Sequence, residues 1–325
     1  MIVSHGARGG ARPYNRYRDR YERGLVDAAD IRALIELNNR FYAKHAASFS
    51  ATRTRSWDGW RRLASLLEDA GWRKGDGTDA AVAGSAGAAG WAPGEDGADG
   101  RATGRPDGTG AHRDILDLAC GNLRFEAFLA QAFAGERIAA HAVDSCPALA
   151  QGTLDGLAGS LELDYRRVDV LDALLADPEG GTGLEGVPPC ELAVCFGFMH
   201  HVPGSALRRA LMAALCERVA PGGIVALSFW QYLRDPRLAR RAAAAEALRE
   251  EDPALAGLRL EAGDGFLGWQ DDPSPLRYCH SFTEKEVDGL AALAADLGFE
   301  EAGRWSADGP AGDLNRYLVL RRPVS

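Results

Sequence analysis

With 325 residues, 46% of them apolar and 26% charged, the chain can bury one substantial core and a small appended unit. A net charge of -9 argues against indiscriminate nucleic-acid binding, and no uninterrupted apolar stretch approaches the roughly 20 residues a membrane helix needs. The N-terminus is polar and Arg/Tyr-rich rather than signal-like, so a cytoplasmic protein without a membrane partner is expected. Its six cysteines, with no Cys-x-x-Cys pair, read as reduced thiols.

Charge is unevenly spread. Residues 1–75 hold 15 Lys and Arg against 8 Asp and Glu, so a basic leading segment precedes an acidic body. Residues 1–26 read as a disordered basic arm, either phosphate-binding or simply solvated. Asp30 to Ser48 places Ile31, Leu34, Ile35, Leu37, Phe41 and Tyr42 near a 3.6-residue period, predicting a helix with Asp30 as N-cap. After the polar loop Ser50–Ser56, Trp57 to Leu67 reads as a second helix with Trp57, Trp60, Leu63, Leu66 and Leu67 on one side. Residues 27–73 are thus expected to form N-terminal helices covering a cofactor pocket. Residues 74–112, rich in Gly, Ala and Asp, cannot offset their ordering entropy and read as a disordered insertion.

From residue 113 to 325 strand and helix patterns alternate, the signature of an α/β domain with a parallel sheet covered on both faces. The run Asp114 to Leu118 reaches an acid at Asp117 and breaks into Ala119, Cys120, Gly121 and Asn122, small residues that let backbone approach a ligand. Arg137 to Val143 ends in Asp144, and Tyr165 to Val168 ends in Asp169. A carboxylate at the tip of the second strand is placed to accept both hydroxyls of a ribose. Without a Gly-x-Gly-x-x-Gly pyrophosphate cradle, three acidic tips in series suggest S-adenosylmethionine rather than a dinucleotide.

Helices are expected at Phe125–Phe133, Cys146–Ala158 and Ser205–Val219, with a Gly/Pro-rich loop at Glu179–Pro189. Pro221-Gly-Gly223 should stop the third helix and launch the strand Ile224–Trp230. Asp235–Glu251 reads as an Arg/Ala-rich helix followed by irregular chain to His280, making 231–280 a substrate-side insertion. Thr283-Glu-Lys-Glu286 is a capping box for a last helix ended by Gly298. Two closing strands, Glu301–Trp305 and Tyr317–Leu320, form a hairpin whose antiparallel strand completes a seven-stranded, mostly parallel, Rossmann-like sheet.

Asp117-Leu-Ala-Cys-Gly-Asn122, Asp144, Asp169-Val170, Cys195-Phe-Gly-Phe-Met-His-His201 and Val219-Ala-Pro-Gly-Gly223 together resemble the motifs of class I S-adenosylmethionine-dependent methyltransferases. Phe49-Ser-Ala-Thr-Arg-Thr-Arg-Ser-Trp57, Arg277-Tyr-Cys-His-Ser-Phe282 and Gly312-Asp-Leu-Asn-Arg-Tyr317 are similar to segments of the eukaryotic wobble-uridine carboxymethyl methyltransferases of tRNA, including the methyltransferase half of AlkB homologue 8. The resemblance implies S-adenosyl-L-methionine as cofactor, a tRNA substrate and a small zinc-binding activator as partner. It implies cofactor contacts at Tyr42, Arg53, Asp117, Ala119, Gly121, Asn122, Asp144, Ser145, Asp169, Val170, Phe196, Gly197 and His200, with no metal. The first and third glycines of the family's loop are here Ala119 and Leu123, and the latter puts a branched side chain where backbone would approach the methionine moiety.

A carboxymethyl acceptor is ionised at neutral pH and needs an anchor rather than a base. His201, Arg277, Tyr278, His280 and Arg316 are the candidate anchors. Arg277 reads either as an anion clamp or as a surface ion pair, and Trp230 as a stacking surface or as core. Arg234, Arg237, Arg240 and Arg241 offer phosphate contacts. Two other readings stay open: a small-molecule O- or N-methyltransferase, and a non-catalytic cofactor-binding regulatory protein.

Overall fold

The computed structural model describes residues 27–73, 112–157, 159–176, 181–270 and 272–324. The expected basic arm 1–26 and the insertion 74–112 lie outside the described residues, apart from His112, which opens the first strand.

Strands β1 (His112–Leu118), β2 (Arg137–Asp144), β3 (Glu162–Arg167), β4 (Cys190–Cys195), β5 (Val219–Trp230), β8 (Glu300–Ala307) and β9 (Asn315–Arg321) form one sheet in the order β3-β2-β1-β4-β5-β9-β8. Pairing is parallel from β3 to β5, and β9 runs antiparallel to both of its neighbours. The order reverses between β1 and β4, so a crevice opens at their C-terminal ends. Alternation of side chains sorts the core into two layers. Ile115, Leu192, Val194, Tyr317 and Val319 pack one face against α2 (Asp58–Asp69) and α3 (Arg124–Ala132). Leu116, Ala193, Cys195, Leu318 and Leu320 pack the other against α4 (Val170–Ala176), α5 (Ser205–Glu217) and α7 (Glu284–Asp296).

Helix α1 (Ala28–Ala51) starts one turn earlier than the hydrophobic period suggests. Asp27, not Asp30, is its N-cap, accepting from the N–H groups of Ala29 and Asp30. The helix expected at Cys146–Ala158 is instead two short 3₁₀ turns, Pro147–Leu149 and Leu154–Leu157, the first entered through Pro147. Helix α4 has no counterpart among the expected elements. Pro221-Gly-Gly223 belongs to β5 rather than preceding it, where the β4–β5 register shifts and Gly223 lies against the Cys190 carbonyl. The capping box at Thr283 forms as expected.

Of the stretch before His280, residues 252–263 are irregular as expected, but the remainder is not. It folds as a hairpin, β6 (Asp264–Trp269) with β7 (Asp272–His280), backed by α6 (Pro236–Glu251). Phe266, Leu276 and Tyr278 pack with Leu34 of α1 and Ala245 of α6 in a separate small core. The side-chain amide of Asn38 accepts from the Tyr278 N–H at 2.8 Å and donates to the Tyr278 carbonyl at 3.2 Å, stitching α1 to β7. Among the described residues no helix is long and apolar enough to cross a membrane, and all six cysteines are unpaired.

Candidate active site

A cavity of about 670 Å³ opens over the C-terminal ends of β1, β2 and β4, within the range of small-molecule sites. Its floor is the turn after β1. Ala119, Gly121 and Leu123 all have positive φ, at 62°, 57° and 58°. Two side chains therefore occupy a conformation that ordinarily favours glycine, at a cost of about 1–2 kcal/mol each. Leu123 does not obstruct the cavity. Its side chain is wholly buried below the loop with Cys120, Ala142, Ala150 and Leu157.

Asp144 is pinned by N–H donors from Gly121 (2.9 Å) and Cys146 (2.7 Å), and burial nevertheless raises its pKa. Asp169 accepts from the N–H groups of Leu171 and Asp172 and from the Asn39 amide at 2.7 Å. Asp117 lines the same floor, with burial pushing its pKa up to about 7. Ser145, Phe196, Gly197 and His200 complete this wall. Gly197 is required twice over, by a φ of 68° and because a Cβ there would meet Trp57 at 2.9 Å.

The roof comes from the N-terminal segment. Asn122 donates to the Arg53 carbonyl at 2.9 Å, and Arg124 donates to Asn122 and to the Arg55 carbonyl while stacking over Trp57 and Trp60. These bonds latch residues 53–57 onto the floor loop. Tyr42 and His201 face each other inside. The Tyr42 hydroxyl donates to His201 Nε2 at 2.7 Å, because Nδ1–H is committed to the Tyr278 carbonyl at 2.9 Å. Burial holds His201 neutral, lowering its pKa to about 3, and lifts Tyr42 to about 12. His200, tilted against the rings of His201 and Trp230 on either side, is likewise driven well below its ordinary value by burial. Among the described residues His200, His201 and Cys279 bring ligand atoms within 4.8 Å of one another, but both His201 nitrogens are engaged and the Cys279 thiol meets Arg277, so the group falls short of a zinc set.

Opposite the acids stand two guanidinium groups. Arg53 lies 3.9 Å over Phe49 and 5.3 Å from Trp269, and burial lowers its pKa to about 10. Arg277 lies 5.2 Å from Phe41 and 5.4 Å from Trp269, is 7% exposed, and keeps Nε and Nη1 buried without a hydrogen-bond partner. Among the described residues neither has a carboxylate within ion-pair distance.

Four expected site residues stand elsewhere. Val170 turns into the core at the start of α4, and its neighbour Leu171 lines the cavity instead. Tyr278 and His280 alternate with Arg277 and Cys279 along β7. Tyr278 bonds Asp264 with its hydroxyl at 2.7 Å, and His280 is clasped between Asp264 and Glu286, both at 2.7 Å. Arg316, on β9, bonds Glu284 and Ser306. The sequence reading missed Asn38, Asn39, Arg124 and Asp308. The two asparagines interrupt an apolar helical stripe, which was the available signal.

No protein-family model matches the chain, and no curated protein sequence matches it. Similar solved structures include a SAM-dependent methyltransferase from Methanosarcina mazei, 16% identical over 66% of this chain and 94% of its own, with a TM-score of 0.45. The complex of DhpI with SAM and HEP is 15% identical over 90% of this chain and 98% of its own (TM-score 0.49). Magnesium protoporphyrin IX methyltransferase from Synechocystis PCC 6803 with bound SAH is 14% identical over 95% and 93% (TM-score 0.44).

Proposed function

We propose that this chain is an S-adenosylmethionine-dependent methyltransferase whose acceptor carries an anionic group, and that this acceptor is the carboxymethyl substituent of a tRNA wobble uridine. The observation that carries the reading is the division of one cavity into an acidic floor, Asp117, Asp144 and Asp169, and a roof where buried Arg277, with Nε and Nη1 idle and no carboxylate partner among the described residues, stands beside Arg53. A buried guanidinium with idle N–H groups is costly unless a ligand supplies their acceptors.

The residues present fit the cofactor. Both oxygens of Asp144 are fixed by backbone N–H groups on one side, leaving lone pairs for a pair of ribose hydroxyls. Asp169 with Asn39 offers an acceptor and a donor at the neighbouring rim, and Ala119 to Gly121 leave the loop low. When bound, S-adenosylmethionine supplies a methyl group already activated by its positive sulfonium, so alignment contributes most, up to roughly 7–11 kcal/mol. The chain's own residues then have to orient the acceptor and exclude water.

The histidines support an acceptor that loses no proton. A group with a pKa of about 3 is a poor general base at neutral pH, and both His201 nitrogens are occupied by positioning bonds. A carboxylate acceptor needs only the planar fork of Arg277, held on aromatic rings, to fix one oxygen while the other attacks. Exposed Arg237 and Arg240, with Arg241 beside them on α6, support contacts to tRNA phosphates.

Mass spectrometry of tRNA nucleosides from a deletion strain tests this reading. The wobble-uridine methyl ester should vanish and the free carboxymethyl nucleoside accumulate, whereas an unchanged ester sinks the tRNA assignment. Binding to tRNA should weaken with salt, with a log-log slope of about -4 if some five phosphates are neutralised. Copurification would reveal the small zinc-binding activator expected as partner. A second reading, a small-molecule O- or N-methyltransferase, is favoured by the net charge of -9 and gains if a small carboxylic acid is turned over while tRNA is untouched.

A further inference from the structure

Glu126 has no role in the reading above, yet it is fully buried in the first turn of α3, directly beneath the floor loop. Both of its carboxyl oxygens are without a donor among the described residues. The group it meets is another carboxyl, that of Asp117 at the end of β1. Two carboxylates cannot share a dry site as two anions, so one must carry a proton and donate it to the other.

Which one is settled by surroundings. Asp117 lines the cavity and has ligand or water on one side, whereas Glu126 has only protein around it. Burial and then the Asp117 charge raise Glu126 well above the carboxylate range. The other titratable groups acting on the pair are Asp144 from β2, Cys120 from the loop and Cys195 from β4, and none of them is cationic. Asp144 takes a backbone N–H on each oxygen, and Asp169 takes backbone N–H groups on one oxygen and the Asn39 amide on the other; among the described residues Asp117 receives no N–H donor. Among the described residues its one available donor is a protonated Glu126.

We infer that Glu126 is a positioning residue that stays protonated at neutral pH, donates its hydrogen bond to Asp117 from below, and thereby leaves the upper face of Asp117 as an anionic seat for a cationic group of the bound ligand. This rests on the cofactor reading above for the identity of that ligand, the ammonium end of S-adenosylmethionine or S-adenosylhomocysteine, but not for the protonation of Glu126. The pair works as an acid under an acid: the lower one holds the proton so that the upper one need not.

The ligand-free protein gives the first test. Infrared spectroscopy at pH 7.5 should show a protonated-carboxyl stretch in the wild type that disappears in Glu126→Gln; a wild type without that band overturns the inference whatever binds above. The second test measures S-adenosylhomocysteine affinity by calorimetry from pH 6 to pH 9. Glu126→Gln keeps a donor and should reproduce the wild-type profile. Glu126→Met removes it, and should weaken binding at pH 7 by about tenfold or more and displace the profile to higher pH, since Asp117 then ionises less readily. Equal profiles for Glu126→Met and wild type, or an equal loss in Glu126→Gln and Glu126→Met with unchanged melting temperatures, would overturn the positioning role. A protonated-carboxyl band with no binding of S-adenosylhomocysteine to any variant would instead sink the cofactor reading and leave the buried proton standing.

Discussion

The floor and the roof of the cavity are built by different rules. The floor is made of strand ends: each acid stands at the tip of a parallel strand, Asp169 fixed by N–H groups two and three residues on, and Asp144 by the N–H groups of Cys146, two residues on, and of Gly121 in the adjacent turn. The roof is assembled from three distant segments, α1, residues 49–57 and the β6–β7 hairpin, which meet through Asn38, Trp269 and Arg277. Under the proposed function, strand-end geometry suits a seat for one invariant nucleoside, and the acceptor's seat is made from long-range contacts, which can vary without disturbing the sheet.

The sharpest way to break this division is Arg277→Met. Turnover should fall by about a hundred- to a thousandfold in kcat/KM, as for loss of an oriented charge donor, while S-adenosylhomocysteine affinity changes little. The same variant should melt at a higher temperature than wild type, because an unpaired buried cation is replaced by an apolar chain. Kinetics, calorimetry and a thermal melt together check it; an equal loss in affinity and turnover would merge the two halves into one. Asp144→Ala should do the reverse, weakening S-adenosylhomocysteine by roughly a hundredfold through loss of two hydrogen bonds to a charged group, with the roof intact by circular dichroism.

Behind the roof, the His280 clasp sets a pH window for stability. Burial alone would lower the His280 pKa, but hydrogen bonds to Asp264 and Glu286 turn the balance to a net rise. Stability from it is complete below the unfolded value of about 6.5 and fades as pH rises through the higher folded value. Burial would raise the Glu286 pKa, yet its bond to His280 depresses it to about 2, so that contribution holds above about 4.5 and is lost as pH falls toward 2. His280→Ala should cost about 3 kcal/mol at pH 6 in urea unfolding by stranding Asp264, and less at pH 9. The smallest effect is expected on the floor: Ala119→Gly should relieve the positive φ and change stability by no more than about 1 kcal/mol, upward if strain exceeds the added chain entropy.

The sheet was legible because buried parallel strands read as apolar runs and their acidic tips break the pattern at once. The capping box at Thr283 and the helices α2, α3, α5 and α6 followed from equally local signals. The hairpin was not legible. Gly265, Gly268, Pro273 and Pro275 weaken its strand pattern, and the structure shows why glycine is needed: a Cβ on Gly268 would lie 2.3 Å from the Asp272 carbonyl. The helix expected after β2 failed for a related reason, since Pro147 and Gly152 cut its apolar period into short turns. Along β7 the motif Arg277 to His280 was recognised as a block, although a strand sends alternate residues to opposite faces, and only Arg277 reaches the cavity.

What the sequence determined alone was the succession of the seven strands of the main sheet and the acids at their tips, because each is encoded within a turn or a strand length. Tertiary structure decided which cation has no partner, which histidine is spoken for and which carboxyl hides beneath another. Those properties depend on what lies across the cavity, brought there by segments more than two hundred residues apart, as where Asn38 joins Tyr278.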